Sequence, residues 1–245
     1  YTKSKEKAER VSVHIHLPTY TESIEQGSAA RDYLFNRGFD WDSVIHYDWR
    51  YVSSGEISVP HSKDEEVQKF WNSIVIPIYN HENKLATFQC RSMDDDGAFK
   101  YKFAKGFPGS GRFLYDSYNA IGKHSVVLSE GVFDVASVRS ALLSSGMLQD
   151  YAAVGSFGKS MSRSSDGNDQ YGSFVKLKNQ GLKEVYMMWD SEKAAIKSAL
   201  KTGLVIKGLG LKVFICFLPK DKDPNKCTTN EIISAITDST NLTNS

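Results

Sequence analysis

The chain has 245 residues, a formal net charge of +1, 24% charged residues and 40% apolar residues. That length suits one large domain or two small ones with a proper core, and the charge balance excludes a polycation, so any nucleic-acid binding must come from local clustering. Cys90, Cys216 and Cys227 are far apart, which excludes a self-contained cysteine zinc ribbon and fits a reducing compartment; no apolar run approaches the ~20 residues of a membrane helix, and no signal peptide is evident.

Residues 1–27 are polar and charged and are expected to form a linker or arm. The chain begins at Tyr1, not methionine, which points to removal of something upstream. Val11 to Leu17 alternates like an edge strand, with His14 and His16 on one face and no third metal ligand nearby. Ser28 is placed to cap a helix over residues 29–35 that Gly38 stops. A second helix is expected from Asp42 to His46, and a third, capped by Asp64, through Phe70. Residues 74–79 then read as a strand, 80–83 as a turn and 85–91 as a returning strand, with Pro77 marking an edge or a bulge.

After a turn at Asp94-Asp95-Asp96-Gly97, residues 99–103 alternate strictly. That puts Phe99, Tyr101 and Phe103 on one face and Lys100 and Lys102 on the other. Gly106 to Gly111 reads as a flexible loop. From Ser125 the rhythm becomes strand and helix: strands at 125–129, 151–155, 184–189 and 211–218, helices at 132–145, about 171–180 and 192–208. This is a small parallel α/β unit. Gly158 to Gly172 reads as a mobile loop, Thr228 or Thr229 caps a last helix through Ile236, and residues 237–245 are expected to fray.

Three of these strands end in acids. Glu130-Gly131 and Asp134 follow the first, Asp190-Ser191-Glu192 the third, and Asp221-Lys222-Asp223-Pro224-Asn225 the fourth. Parallel strands bring their carboxyl ends to one edge, where ligands bind in open α/β sheets. Converging carboxylates suit a hard divalent cation such as Mg²⁺. Taken singly, each acid has a plainer use: Asp190 and Ser191 as helix caps, Asp223-Pro224 as a turn. A second cluster, Lys100, Lys102, Lys105, Arg112 and Lys123 among Tyr101, Phe103, Phe107 and Phe113, suits a flexible single strand, since phosphates meet cations and bases stack.

The order Glu-Gly-x-x-Asp, Asp-x-Glu, Lys-Asp-Pro-Asn resembles the Toprim domain of bacterial-type and phage primases, topoisomerases and some nucleases. Ile74 to Tyr79, Phe88-Gln89-Cys90-Arg91, Lys100-Tyr101 and Gly111 to Tyr115 occur in the order seen in primase catalytic cores, and Ala153 to Gly158 resembles the second Toprim strand and turn. The likeness covers roughly residues 28–235 and looks closest to phage primases. It departs from the family at Glu192, where Asp is usual, at Asn225, where many primases have Asp, and at Ser110, where a lysine is common; Arg112 or Lys105 would then take that lysine's place.

The resemblance implies an α/β fold, with a Toprim domain of about four parallel strands and flanking helices at 123–227. A mixed α+β basic subdomain at 28–122 precedes it, and a short helix and tail at 228–245 follow. It implies a nucleotidyltransferase, a DNA-directed RNA polymerase of primase type making RNA primers on single-stranded DNA from ribonucleoside triphosphates. Catalysis would fall to Glu130, Asp190 and Glu192. Metal, Mg²⁺ or Mn²⁺, would be held by Glu130, Asp134, Asp190, Glu192 and Asp223, with Glu130 either a ligand or the general base. Nucleotide or template would meet Arg91, Lys100, Lys102, Lys105 and Arg112. An upstream zinc-binding domain and a replicative helicase are implied partners, and the cytoplasm, a bacterial host's if the chain is phage-encoded, is the implied location. The competing readings are a metal-dependent Toprim nuclease and a non-catalytic single-strand-binding module.

Overall fold

The computed structural model describes residues 14–62, 64–94, 100–158, 161–164 and 166–243. Its elements in chain order are β1 (Glu22–Ser23), α1 (Ala29–Phe35), α2 (Trp41–His46), β2 (Arg50–Ser58), β3 (Val67–Tyr79), β4 (Leu85–Ser92), β5 (Tyr101–Phe103), β6 (Ser125–Ser129), α3 (Val132–Ser144), β7 (Tyr151–Gly155), α4 (Gln170–Asn179), β8 (Glu184–Met187), α5 (Lys193–Lys207), β9 (Lys212–Ile215), α6 (Thr229–Thr237) and β10 (Thr240–Asn241).

Two sheets result. The first is an antiparallel sheet in the order β1-β2-β3-β4-β5. The second runs β10-β9-β8-β6-β7, with β6 to β9 mutually parallel and β10 antiparallel on the edge. The four parallel strands are the expected ones. Each is short and mostly apolar; β6 is buried on both faces, as parallel strands are when helices cover them, while β9 nearer the edge leaves Lys212 exposed and Phe214 half-buried. Side chains alternate between those faces. Val127 and Ala153 pack toward α3 and α6, while Val126, Leu128 and Val154 pack among Phe174, Leu177, Ala195 and Ala199 of α4 and α5.

The core on the α3 side continues into the antiparallel sheet. Ile74, Ile76 and Ile78 of β3, Leu34 of α1 and Trp49 join Val127, Phe133, Val135 and Val138 in one cluster. The three isoleucines have no exposed surface, and each contributes roughly 1.5–3 kcal/mol by burial. Val52, Phe70, Val75, Phe88 and Cys90 form a separate core on the outer face of that sheet. Helix α3 is therefore clamped between the two sheets, and the turn that precedes it is fixed from both sides.

Local signals explain most boundaries. Ser28 caps α1 by accepting from Arg31 N–H, and Asp40 caps α2 by accepting from Ser43 N–H. Thr228 and Glu231 form a reciprocal capping box on α6. Pro77 lies beyond the end of the β2 pairing, which stops at Val75, and next to a bulge at Ile78/Tyr79, so its missing N–H breaks no β2–β3 bond.

Several expectations are corrected. The helix expected from Asp64 to Phe70 is instead the first part of β3. Gln68 and Phe70 point inward there while Val67 and Lys69 point out, a strand alternation with a polar residue on the buried face. The Gln68 amide is satisfied by donating to Phe103 O and accepting from Lys105 N–H. The expected arm at 1–27 is anchored in its later part: Ile15 and Leu17 pack on the outer core, and β1 pairs with β2. His14 and His16 lie outside any strand, their ring centroids 6.3 Å apart. Val11 to Val13 of that expected strand, Asp95 to Phe99, and the charged residues near the start fall outside the described residues. The frayed end is corrected too, because β10 pairs with β9 and Leu242 packs on the core. No helix among the described residues is long and apolar enough to cross a membrane.

Candidate functional site

The chain runs from β6 through α3 to β7, then crosses back past β6 to β8. The sheet therefore reverses its winding between β6 and β8, and a crevice opens outside the strand ends at such a point. Glu130 follows β6 and Asp190 follows β8. Both line a cavity of about 290 Å³ there, together with Gly131, Val132, Phe133, Asp134, Phe157, Gly158 and Asn225 from the parallel sheet. The antiparallel sheet and the turn after α1 close the opposite wall with Arg37, Gln89, Arg91, Lys100 and Tyr101.

The Glu-Gly-x-x-Asp turn is built from inside. Gly131 N–H donates to Asp134 Oδ2 at 3.1 Å, closing the first turn of α3. Gly131 has φ of −106°, open to any residue, so its backbone angle is not what calls for glycine. A Cβ at that position would stand 2.8 Å from Asp134 Oδ2. The glycine is needed for the carboxylate's close approach.

Asp134 is half-buried, and its carboxyl is pushed up to about 7. Burial is the first cause, followed by the negative charges of Asp223 and Asp190; the N–H groups of Gly131 and Asn225 pull partly back. Three acids thus sense one another across the ends of three strands, as the convergence argument requires. Asp223 caps the turn at Pro224–Lys226, accepting from Lys226 N–H at 2.9 Å and pairing with Lys226 Nζ at 3.0 Å. It does not line the cavity wall. Glu192 is exposed at the N-cap of α5 and does not line it either.

On the facing wall, Arg91 is buried, with Nε donating to Tyr33 Oη at 2.9 Å and its guanidinium 4.8 Å from the Tyr101 ring centroid. Arg37 lies 4.8 Å from the Tyr33 ring and 5.6 Å from that of Phe133. Stacking on rings fixes a guanidinium while its in-plane N–H donors remain directed at a ligand. Asn225 Nδ2 donates to Arg37 O at 3.2 Å and to Ser137 Oγ at 3.0 Å, which ties the third motif to the turn that carries Arg37.

Of the five basic residues expected to bind nucleotide or template, the structure brings Arg91 and Lys100 to this cavity and leaves three elsewhere. Lys102 is paired with Cys90 across the β4–β5 ladder, on the outer face, where its Nζ donates to Lys69 O at 2.8 Å. Lys105 pairs with Glu66 at 2.6 Å. Arg112 holds Asp166 at 2.8 Å and Asn168 O at 3.0 Å, beside a different cavity of about 620 Å³. Lys100 and Lys102 were expected to share a face. They do not, because β5 begins only at Tyr101 and Lys100 lies outside its alternation.

Tyr101, from the expected basic and aromatic cluster, lines the cavity, and Arg37, Gln89, Phe157 and Gly158 complete it without a site role expected of them. An arginine before the helix-stopping Gly38, and a glutamine two residues before Arg91, were the available signals. Among the described residues, no group of three His, Cys, Asp or Glu side chains is arranged to hold a metal ion. The donor set still fits one in kind: carboxylate oxygens, the choice of hard divalent cations, with Asp223 and Asp190 adding their charges to the burial that raises the Asp134 carboxyl.

No family model matches the chain. Curated relatives do. It is 25% identical over 230 residues to the DNA primase of Listeria monocytogenes, covering 82% of this chain and 34% of that protein. It is 24% identical over 241 residues to the DNA primase of Thermotoga maritima, covering 86% and 39%. The chain thus spans a little over a third of the length of these relatives. Among solved structures, the zinc-binding and RNA polymerase domains of the Aquifex aeolicus primase match with a TM-score of 0.70 and 20% identity, over 89% of this chain and 57% of that one. A DnaG primase catalytic domain bound to single-stranded DNA matches with a TM-score of 0.69 and 20% identity, over 90% and 75%. The chain is similar in sequence to bacterial DNA primases, and its fold is that of a primase catalytic core.

Proposed function

We propose that the chain is the RNA-polymerase core of a primase, joining ribonucleotides on a single-stranded DNA template. One observation carries this reading: a single cavity sets Glu130, Asp134 and Asp190 against Arg37, Arg91 and Lys100, at the switch point of a primase-like fold. Phosphoryl transfer needs both halves, since the reacting phosphate is polyanionic and the attacking hydroxyl must lose a proton.

In this reading residues 28–122 bring nucleotide and template, and residues 123–227 carry the acids. Glu130 and Asp190, which share the cavity, would hold Mg²⁺ or Mn²⁺, which supplies charge neutralisation at the reacting phosphates when bound, while Asp223 and Glu192 stand outside its wall. Glu130 acts either as such a ligand or as the general base that accepts the hydroxyl proton. Asp134 orients the turn through Gly131 and supports the neighbouring acids. Arg91 and Arg37 bind phosphate with guanidiniums already fixed by aromatic rings, so little freedom is lost on binding. Lys100 adds an exposed cation at the mouth. The solved Aquifex aeolicus relative includes a zinc-binding domain and another relative binds single-stranded DNA. A zinc-binding partner domain, a DNA template and a replicative helicase are the corresponding partners proposed for this chain.

The test is label incorporation from ribonucleoside triphosphates on single-stranded DNA with Mg²⁺ or Mn²⁺, with Glu130→Ala as control and DNA length followed in the same tube. Short RNA lost in the variant is the expected result. Shortened DNA without incorporation would instead establish a nuclease, and DNA binding without either reaction a binding module.

A further inference from the structure

Gln89 stands two residues before Arg91 on β4, so both side chains leave the same face of the sheet. It is only 6% exposed and it lines the cavity, where its carboxamide can donate to and accept from a bound ligand.

What surrounds Gln89 is aromatic. Phe103 sits directly across the β4–β5 ladder. The Phe103 ring meets Phe157 edge-on, with centroids 5.4 Å apart, and Phe157 also lines the cavity. Phe157 is held at a φ of +56°, a left-handed backbone that bulky side chains rarely adopt. Ser156 Oγ braces that turn, within reach of Ser129 O at 3.3 Å and Gly158 O at 2.7 Å. Strain of this kind persists only where the surroundings enforce it, and here it keeps an aromatic side chain at the cavity.

The cavity therefore has a third region besides its acids and its cations: one carboxamide next to one aromatic ring. We infer that Gln89 and Phe157 form a base-reading subsite that takes the purine ring of the bound nucleoside triphosphate, adenine first. This rests on the primase reading. A base paired to a template has spent its Watson–Crick edge, and the edge left to the protein is the one carrying N7. Adenine presents N7 as acceptor and N6 as donor there, which a glutamine amide meets with both of its ends. Guanine presents two acceptors, so the amide oxygen gains nothing. The Phe157 ring supplies the sequence-tolerant stacking surface.

The experiment is calorimetric titration of ATP, GTP, CTP, UTP and dATP, with Mg²⁺ and a template oligonucleotide present, into the wild-type chain, Gln89→Ala, Phe157→Ala and Arg91→Ala. Circular dichroism confirms folding of each variant. The expected result is a wild-type preference for ATP and dATP over the other three on the order of tenfold. Gln89→Ala would abolish the preference while retaining the general affinity, Phe157→Ala would weaken all bases, and Arg91→Ala would weaken all triphosphates without changing their ratios. An unchanged ATP preference in Gln89→Ala, with binding still lost in Arg91→Ala, overturns the subsite and leaves the primase reading standing. A Gln89→Ala effect confined to the ratio of ATP to dATP assigns the amide to the sugar and also overturns it. A wild-type chain that binds no triphosphate removes both readings.

Discussion

The side chain of Asn225 holds the backbone of Arg37: Nδ2 donates to Arg37 O at 3.2 Å, and the same amide reaches Ser137 Oγ at 3.0 Å on α3. An amide does here what a carboxylate could not, since the bond to Arg37 O needs a donor. The neutral residue in the third motif thus has a use as a strut between the acidic and cationic walls. Asn225→Ala should lower stability by about 1 kcal/mol and raise the KM for ribonucleoside triphosphate more than it lowers kcat. Asn225→Asp should fare worse than Ala, because it sets a third negative charge against Asp134, beside those of Asp223 and Asp190, and repels Arg37 O. Primer-synthesis kinetics with both variants would check this, and an Asp variant more active than wild type would sink the strut.

Gly131→Ala tests how closely Asp134 must approach. The added Cβ meets the end of a flexible side chain, so folding should survive with a cost of about 1 kcal/mol. The carboxylate must move, however, and the 3.1 Å bond from Gly131 N–H is lost. Melting temperature close to wild type with incorporation reduced at least tenfold is the expected pair of results.

Asp134 also makes a pH-dependent contribution that can be isolated. Its carboxyl is raised from 3.8 to about 7 in the fold. The unfolded chain ionises first, so stability falls as pH rises between those two values and levels off above about 7. In metal-free protein the loss attributable to this group is at most about 4 kcal/mol across the window. Asp134→Asn removes it, and should therefore raise the melting temperature more at pH 8 than at pH 5. An equal shift at both pH values would show that Asp134 is not tuned in this way.

Lys100 and Lys102 are two residues apart and should behave differently. Lys100→Ala removes a cation from the cavity and should weaken triphosphate or template binding by roughly tenfold. Lys102→Ala acts on the outer face, beside Phe70 and Lys69 O, and should leave binding within twofold of wild type. Filter binding of labelled single-stranded DNA and nucleotide titration would separate them. Equal losses would contradict the ladder register that places Lys102 opposite Cys90.

The parallel half was legible because its physics is local. β6 and β7 occupy the residues expected, and α3, α4 and α5 lie within a residue or two of the ranges expected, since short apolar runs and capping residues announce themselves. Glu130, Asp134 and Asp190 followed from the strand ends. The antiparallel half was harder. Gln68 occupies a buried strand position normally filled by an apolar side chain, and its amide is satisfied by Phe103 and Lys105, residues far along the chain. Such a position cannot be told from a helix surface by periodicity. Nine residues of β2, mixing Ser, Gly and Glu with Val and Ile, gave no clear period. Arg37 looked like the end of a helix, and only its stacking on Tyr33 and Phe133 brings it to the cavity.

The core that joins β3 to α3 changes what a domain border means in this chain. A cut near residue 122 would divide the sequence where its rhythm changes, but Ile74, Ile76 and Ile78 on one side share a continuous apolar interior with Phe133, Val135 and Val138 on the other. Either half produced alone would carry an open apolar wound where the other had been. The acids and the cations of the cavity are thus inherited as one piece: recombination at that seam would cost solubility before it altered chemistry, and the acidic wall has no independent existence from the wall that faces it.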